Sequence, residues 1–319
     1  MHVIPNAPLG TWVEQAVKWL QDNLGPLWDF ISFIFTQFDD GLLYILTTPF
    51  PLALILAGGV LAFVFRGWKF AIFALIGLGF IRAMGQWEPA METLALVIIA
   101  TVIAGVFAIP TGILAARSRV ISVLVRPVLD LMQTLPPFVY LIPAIFFFSV
   151  GVVPGIIATI IFAMPPGVRL TELGIRQVDR EVVEAGEAFG SSPRRILTGI
   201  QIPLAMPTIM AGINQVIMLA LSMVVIAGFV GAGGLGAVIY RSLANIDIGL
   251  GAEGGLAVVI IAIFLDRLTG ALGAGGVRRG GLTELITHLT SARTPTSPVP
   301  QPMEGKDARD TQERQPAQR

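Results

Sequence analysis

The chain has 319 residues, 54% hydrophobic and 13% charged, with a formal net charge of zero. A mean hydropathy of +0.78 marks a polytopic membrane protein, and neutrality gives no reason to expect nucleic acid. The absence of cysteine excludes disulfides, thiolate metal sites and thiol nucleophiles; with His2 and His288 near opposite ends, no histidine-rich metal site is expected either.

The N-terminal MHVIPNAPLG has no basic region leading into a short apolar core, so no cleaved signal peptide is expected. From Thr11 to Ile31, Val13, Val17, Leu20, Leu24, Leu27 and Ile31 recur at helical spacing between polar residues, accompanied by Trp12, Trp19 and Trp28. This predicts a helix in the membrane interface or, equally, one packed on the protein's outer surface, broken at Gly25-Pro26. Seven spans follow, at 42–65 (bent near Pro49 and Pro51), 68–81, 93–116, 129–150, 152–166, 208–229 and 255–272. The third carries small residues at every fourth position, Ala100, Ala104, Ala108, Gly112 and Ala116, which predicts close helix packing. In the fourth, Pro136, Pro137 and Pro143 interrupt helix beside Gln133, Thr134 and Tyr140. Broken helices at membrane depth line protein interiors or cavities, because lipid cannot satisfy the freed backbone groups.

Residues 168–206 are the longest polar interval between hydrophobic runs. Asp179 is placed to cap a helix with Glu181 in its first turn, and Val182, Val183, Ala185, Ala188 and Phe189 give that helix an apolar side. Gly190 suits the left-handed end of such a helix. Ser192-Pro193 then reads as N-cap and first residue of a second short helix, Arg194 to Ile200, closed by Pro203 and Pro207. A polar glycine-rich loop is expected over 231–254, and a disordered tail over 274–319.

Arginines and lysines gather in three alternate loops (Arg66 and Lys69; Arg117, Arg119 and Arg126; Arg169, Arg176, Arg180, Arg194 and Arg195). That side is predicted to be cytoplasmic, with the N-terminus outside and the C-terminus inside, as an odd number of spans requires. Gly231 to Gly236 fits G-x-G-x-x-G but follows a membrane helix rather than a strand, so it is no dinucleotide site. No phosphate-binding loop with the G-x-x-x-x-G-K-[ST] pattern occurs, and no metalloprotease or serine-hydrolase motif. Enzymatic chemistry is not expected. Glu92, Asp130 and Asp266 lie near span ends and read as solvated or paired boundary charges. Gln133, Thr134, Asn214 and Gln215 either line a solute path or make hydrogen bonds between helices. With no ion-coupling group near mid-membrane in spans one to three or five, energy is expected to enter through the two-helix interval. An ion-coupled secondary carrier and a structural scaffold are the other readings.

Within that interval Glu184-Ala185-Gly186, then Gly190, then Ile200-Gln201-Ile202-Pro203 resemble the cytoplasmic signature of ATP-binding-cassette importer permeases, E-A-A, three residues, G, nine residues, I-x-L-P. Gly186 replaces the second alanine and Ile202 the leucine. LDLMQTLPPFVYLIP, IIFAMPPGVRLTELGIRQV and PLAMPTIMAGINQVIMLALSMVVIAG resemble more narrowly the permeases for glycine betaine and proline betaine, with choline, carnitine or an amino acid as alternative solutes.

The resemblance covers about Trp87 to Gly273, is weaker over Met1 to Met84 and absent from the tail. It implies an all-α, type I importer permease of about seven transmembrane helices, to which the residue pattern adds the N-terminal interfacial amphipathic helix. Together they divide the chain into an extracytoplasmic amphipathic segment (1–41), peripheral transmembrane helices (42–84), a permease core (85–273) with its coupling loop at 168–206, and a cytoplasmic tail (274–319). The resemblance also implies a permease homodimer in the bacterial inner membrane, in contact with lipid. Two separate ATPase subunits would bind ATP and magnesium, so this chain would need no cofactor or metal. Glu184, Ala185, Gly186, Gly190, Ile200 and Pro203 would couple to the ATPase, Ala185 and Gly186 allowing its close approach. A separate extracytoplasmic binding protein would deliver the solute, since neither terminus is long enough to contain one. Gln133, Thr134, Tyr140, Asn214 and Gln215 are the candidates for the translocation path.

Overall fold

In a computed structural model, residues 9–273 are described, and among them every regular element is a helix. The tail expected at 274–319 lies outside them. The helices are α1 Leu9–Asn23, α2 Gly25–Thr47, α3 Pro51–Arg66, α4 Trp68–Ala83, α5 Trp87–Arg117, α6 Arg119–Thr134, α7 Pro137–Phe148, α8 Val152–Arg176, α9 Arg180–Ala188, α10 Pro193–Ile196, α11 Ile202–Ala227, α12 Gly234–Asn245 and α13 Ile248–Gly273.

Three long helices, α5, α8 and α11, form the core. The small-residue stripe of α5 brings them together: Ala100, Ala104, Ala108 and Gly112 are buried. A Cβ on Gly112 would lie 2.5 Å from Thr171 Cβ and 2.7 Å from the Val168 carbonyl on α8. A Cβ on Gly167 would lie 2.9 Å from that of Ala108. These helices touch backbone to backbone, a contact that gains dispersion energy where lipid offers no hydrophobic drive.

Two faces can be told apart by contacts alone. On one, the Gly151 N–H at the start of α8 donates to Val230 O at 3.1 Å, and Gly234 at the start of α12 is bonded to Glu92 on α5. On the other lie the ends of α5 and α8, the start of α6, and the end of α3, whose Arg66 guanidinium would be 3.2 Å from a Cβ on Gly270. Helix α2 is long and apolar enough to cross a membrane. However, Trp28 near its start packs on Phe147 and Phe148 at the end of α7, with ring centroids 4.5 and 5.7 Å apart. Phe50, just beyond its end, lies 5.5 Å from the guanidinium of Arg82 on α4, close before α5 begins. Residues flanking both ends of α2 therefore contact the first face, while its second half faces Ile98 to Val106 of α5 across a cavity.

This corrects the first expected span. Leu42 to Thr47 belong to α2, which runs through the expected boundary at residues 41 and 42, and a separate apolar helix, α3, begins at Pro51. α3 and α4 have 16 residues each, about 24 Å of helix, turned by Gly67 at φ 83°. The break near Gly25-Pro26 is present, with α1 ending at Asn23. On α1, Trp12, Val13 and Trp19 are about three-fifths exposed, while Gln21 donates to Phe146 O of α7 at 3.2 Å.

The expected interruption of residues 129–150 is present at Pro136 and Pro137, where α6 and α7 meet at 98°, whereas Pro143 lies inside α7. Neither proline ring at the break tolerates helix at the residue before it, and Leu135 is extended at φ −70°, ψ 135°. Three more expectations need correction. Helix α8 does not stop at Pro166 but continues to Arg176, so Val168 to Ile175 is largely buried helix rather than loop. Pro203 and Pro207 close nothing either. A π-turn over Leu197–Gln201 joins α10 to α11, with the Ile202 N–H donating to Leu197 O, and this wider turn makes room for the Pro203 ring. Finally, the glycine-rich loop over 231–254 contains α12.

Candidate coupling segment and permease family

The segment between α8 and α11 folds as its capping residues direct. Asp179 Oδ1 accepts the Glu181 N–H at 2.9 Å and starts α9; Ser192 Oγ accepts the Arg195 N–H at 3.4 Å and starts α10. Between them Gly190 sits at φ +73°, its N–H donating to Glu187 O at 2.8 Å and the Ser191 N–H to Gly186 O at 3.1 Å. That pair of bonds is a Schellman motif, which stops α9 and turns the chain towards α10.

One side of α9 touches the rest of the chain. Gly186 is buried, and a Cβ there would lie 2.8 Å from Ile200 Cδ1 in the π-turn. Ile196 and Leu197 are buried beneath, and Leu197 packs with Ile175, Ala205 and Ile209. Gly186 thus allows close approach within this chain, rather than to a partner as the signature alone implies. The opposite side is open: Val182, Glu184, Ala185 and Ala188 are exposed, and Phe189 is 89% exposed. A cavity of about 420 Å³ separates α9 from the end of α5, lined by Arg117, Arg176 and Arg180 against Glu184 and Glu187. Pro203 is exposed and Ile200 half-buried.

The path candidates fall into two groups that no hydrogen bond joins among the described residues. Gln133 and Thr134 are exposed in the last turn of α6, and the Thr134 hydroxyl donates to Leu131 O at 3.2 Å. Tyr140 is buried, its hydroxyl donating to Met132 O at 2.7 Å across the α6–α7 elbow. On α11, Gln215 is exposed, whereas the Asn214 amide donates to Asp266 Oδ1 at 2.7 Å and its carbonyl accepts the Thr269 hydroxyl at 2.7 Å. Asn214 therefore ties α11 to α13. The boundary acids are paired: Asp266 with Asn214, Asp130 with Arg169, and Glu92 with the Gly234 N–H.

Sequence reasoning passed over Glu172. It is 6% exposed on α8, and its Oε1 accepts from Ser122 Oγ at 2.8 Å, from Arg126 at 3.2 Å and meets Arg176 at 3.0 Å. Arg176 also donates to Ala115 O at 2.8 Å. The available signal was Glu172 and Arg176 at helical i, i+4 spacing, hidden by reading the residues as loop.

A packed bundle of apolar helices, several long enough to cross a membrane, with an exposed, doubly capped helix on one face, defines a multi-pass membrane protein. The chain belongs to the binding-protein-dependent transport system inner membrane component family, whose model matches residues 108–275, more than half of the chain. It is 46% identical over 269 residues to the glycine betaine transport system permease protein OpuAB of Bacillus subtilis, covering 84% of this chain and 95% of that one. It is 45% identical over 277 residues to the glycine betaine/proline betaine transport system permease protein ProW of Escherichia coli, covering 86% and 77% respectively. An inward-facing structure of the MetNI methionine ABC transporter shares the fold, with TM-score 0.53 and 21% identity over 61% of this chain and 96% of that one.

Proposed function

We propose that this chain is the permease subunit of an ATP-driven importer of glycine betaine, proline betaine and similar compatible solutes. Two copies form the pathway, two separate ATPase subunits carrying ATP and magnesium dock beneath them, and an extracytoplasmic binding protein delivers solute. The arginine-rich face bearing α9 is cytoplasmic, which puts the N-terminus outside and the C-terminus inside. The observation that carries the reading is α9 itself, a capped helix with its apolar side outward and its other side fixed to the start of α11. A helix so exposed needs a partner surface, and a groove in an ATPase supplies one.

The geometry gives the coupling its direction. Because α10, the π-turn and α11 are continuous and Gly186 rests on Ile200, a displacement of α9 carries the start of α11 with it. Closure of the ATPase pair on ATP then moves α11 against α5 and α8, exposing the pathway first to one side and then to the other. Aromatic cages that hold quaternary ammonium groups belong in this scheme to the binding protein.

Reconstitution with the cognate ATPase and binding protein tests the reading. Betaine uptake should require ATP and should fail, with weakened assembly, in Glu184→Lys and Gly190→Pro. Normal uptake by both variants sinks the docking assignment. Uptake driven by an ion gradient without ATP identifies a secondary carrier instead. Competition by choline and carnitine ranks the solutes.

A further inference from the structure

Resting on that reading, we infer that Glu172 is a positioning residue that carries the movement of the docking helix to the α6–α7 elbow. Ser122, Arg126 and Asp130 recur every fourth residue along one side of α6, and Arg169, Glu172 and Arg176 line the facing side of α8. Asp130 pairs with Arg169 nearest the elbow, and Glu172 takes Ser122, Arg126 and Arg176 on a single oxygen nearer the coupling segment. Arg176 is the last residue of α8, three before the Asp179 cap of α9. Through the Ala115 carbonyl it also grips the end of α5.

The three parts have different freedom. α5 and α8 are locked by small residues at Gly112 and Gly167. α6 has only Ser122 and Leu129 buried along its length, and it is fixed to the core by this polar ladder and by the packing of Leu129 on Ala108 and Val168. Beyond it the chain bends by 98° into α7, and Tyr140 bonds back to Met132 to hold that bend. A force applied at α9 reaches Arg176 first, because only Gln177 and Val178 separate Arg176 from the cap. Arg176 and Arg126 compete for the same Glu172 oxygen at 3.0 and 3.2 Å, so a shift of Arg176 alters the hold on α6 without unpacking the core. A buried carboxylate that holds two guanidiniums on one oxygen couples the two, so that loosening one changes its hold on the other.

The test uses the complete transporter in liposomes, measuring solute taken up per ATP hydrolysed. Glu172→Gln keeps the shape and an acceptor for Ser122 but removes the charge. It should co-purify with its ATPase, keep its ATP hydrolysis and lower the uptake-to-hydrolysis ratio about five-fold, within the range that coupling residues command. Arg126→Gln should lower the same ratio; its side chain is 61% exposed, so the change leaves folding intact. Glu172→Asp should restore part of the ratio. In this cysteine-free chain, a single cysteine at exposed Phe138 on α7 should show maleimide labelling that changes with ATP, and Glu172→Gln should abolish the change. An unchanged ratio in both Glu172→Gln and Arg126→Gln overturns the inference, as does ATP-dependent labelling that survives Glu172→Gln. Loss of ATPase co-purification in both variants overturns it in favour of a structural role. Absence of ATP-dependent uptake by the unmodified protein would instead reject the importer reading, a failure visible before any variant is made.

Discussion

Gly186 on α9 and Ile200 in the π-turn are packed so closely that a Cβ on the glycine would lie 2.8 Å from Ile200 Cδ1. The next atoms, on Ile196, are 3.6 Å away, so one flexible methyl is the only obstruction. Alanine at this helical position gains about 1 kcal/mol of helix propensity over glycine, offsetting the small rotation of Ile200 that it requires. Gly186→Ala is therefore expected to keep or slightly raise the melting temperature of the detergent-solubilised protein. Gly186→Leu cannot be absorbed the same way. Overpacking of this kind costs about 1–3 kcal/mol, and it should pry α9 off the start of α11 and reduce ATPase binding in pull-down.

Gly190 behaves in the opposite manner. Nothing lies within 4 Å of a Cβ built there, yet its φ is +73°. Gly190→Ala meets only a backbone penalty, about 1–2 kcal/mol for an L-residue in the left-handed region. Because the turn aims α9 rather than holding the core, the global melting temperature should move little. Hydrogen exchange of the Gly190 and Ser191 amides, which close the Schellman motif, should quicken. Unaltered exchange there would mean that α9 is held by other contacts.

Capping residues made the coupling segment legible in advance: Asp179, Gly190, Ser192 and Pro193 each stand where the helix ends fall. The α5 stripe was equally clear, because a four-residue period of small side chains has one physical use between membrane helices. The errors at the ends of α8 and α10 share a cause. Pro166, Pro203 and Pro207 read as helix stops, yet a membrane helix can absorb proline by a local π-turn or by packing against neighbours. Extending α8 by ten residues past Pro166 is what converts Glu172 from a loop charge into a buried hub. The course of α2 was hidden for another reason: composition tells whether a helix is long and apolar enough to cross, and only contacts tell what its ends pack against.

Asn214 joins Asp266 and Thr269, each at 2.7 Å; its truncation takes the amide donor from Asp266, while the Thr269 hydroxyl keeps Leu265 O at 2.7 Å. Asn214→Leu should cost about 1–3 kcal/mol through the Asp266 carboxylate left without its amide donor. If its role is to join α11 to α13, thermal stability falls while the KM for betaine uptake stays unchanged. A KM raised about ten-fold at unaltered stability would correspond to 1.4 kcal/mol of lost solute binding and would put Asn214 on the path. Gln215, one residue on and exposed, is the paired control: Gln215→Ala should leave stability intact.

The turn into α12 offers the sharpest steric prediction. Gly234 has φ +65°, and a Cβ there would lie 2.5 Å from Thr93 Oγ1 and 3.2 Å from the Thr93 backbone nitrogen. The same hydroxyl accepts the Leu235 N–H at 2.8 Å, while Glu92 Oε2 accepts the Gly234 N–H at 2.6 Å, so α12 begins directly on α5. Gly234→Ala combines left-handed strain with a clash against atoms that cannot swing away, and the protein should fail to accumulate in the membrane. Glu92→Gln keeps an acceptor and loses only the favourable charge at the helix N-terminus, about 0.3–1 kcal/mol, so it should accumulate almost normally. Adding Thr93→Ala to Gly234→Ala removes the hydroxyl clash but leaves the positive φ. The double variant should recover part of the lost accumulation, a non-additivity that only direct contact between the two residues produces. Equal loss in the single and double variants would place the whole cost in the backbone of Gly234 and leave none for its contact with Thr93.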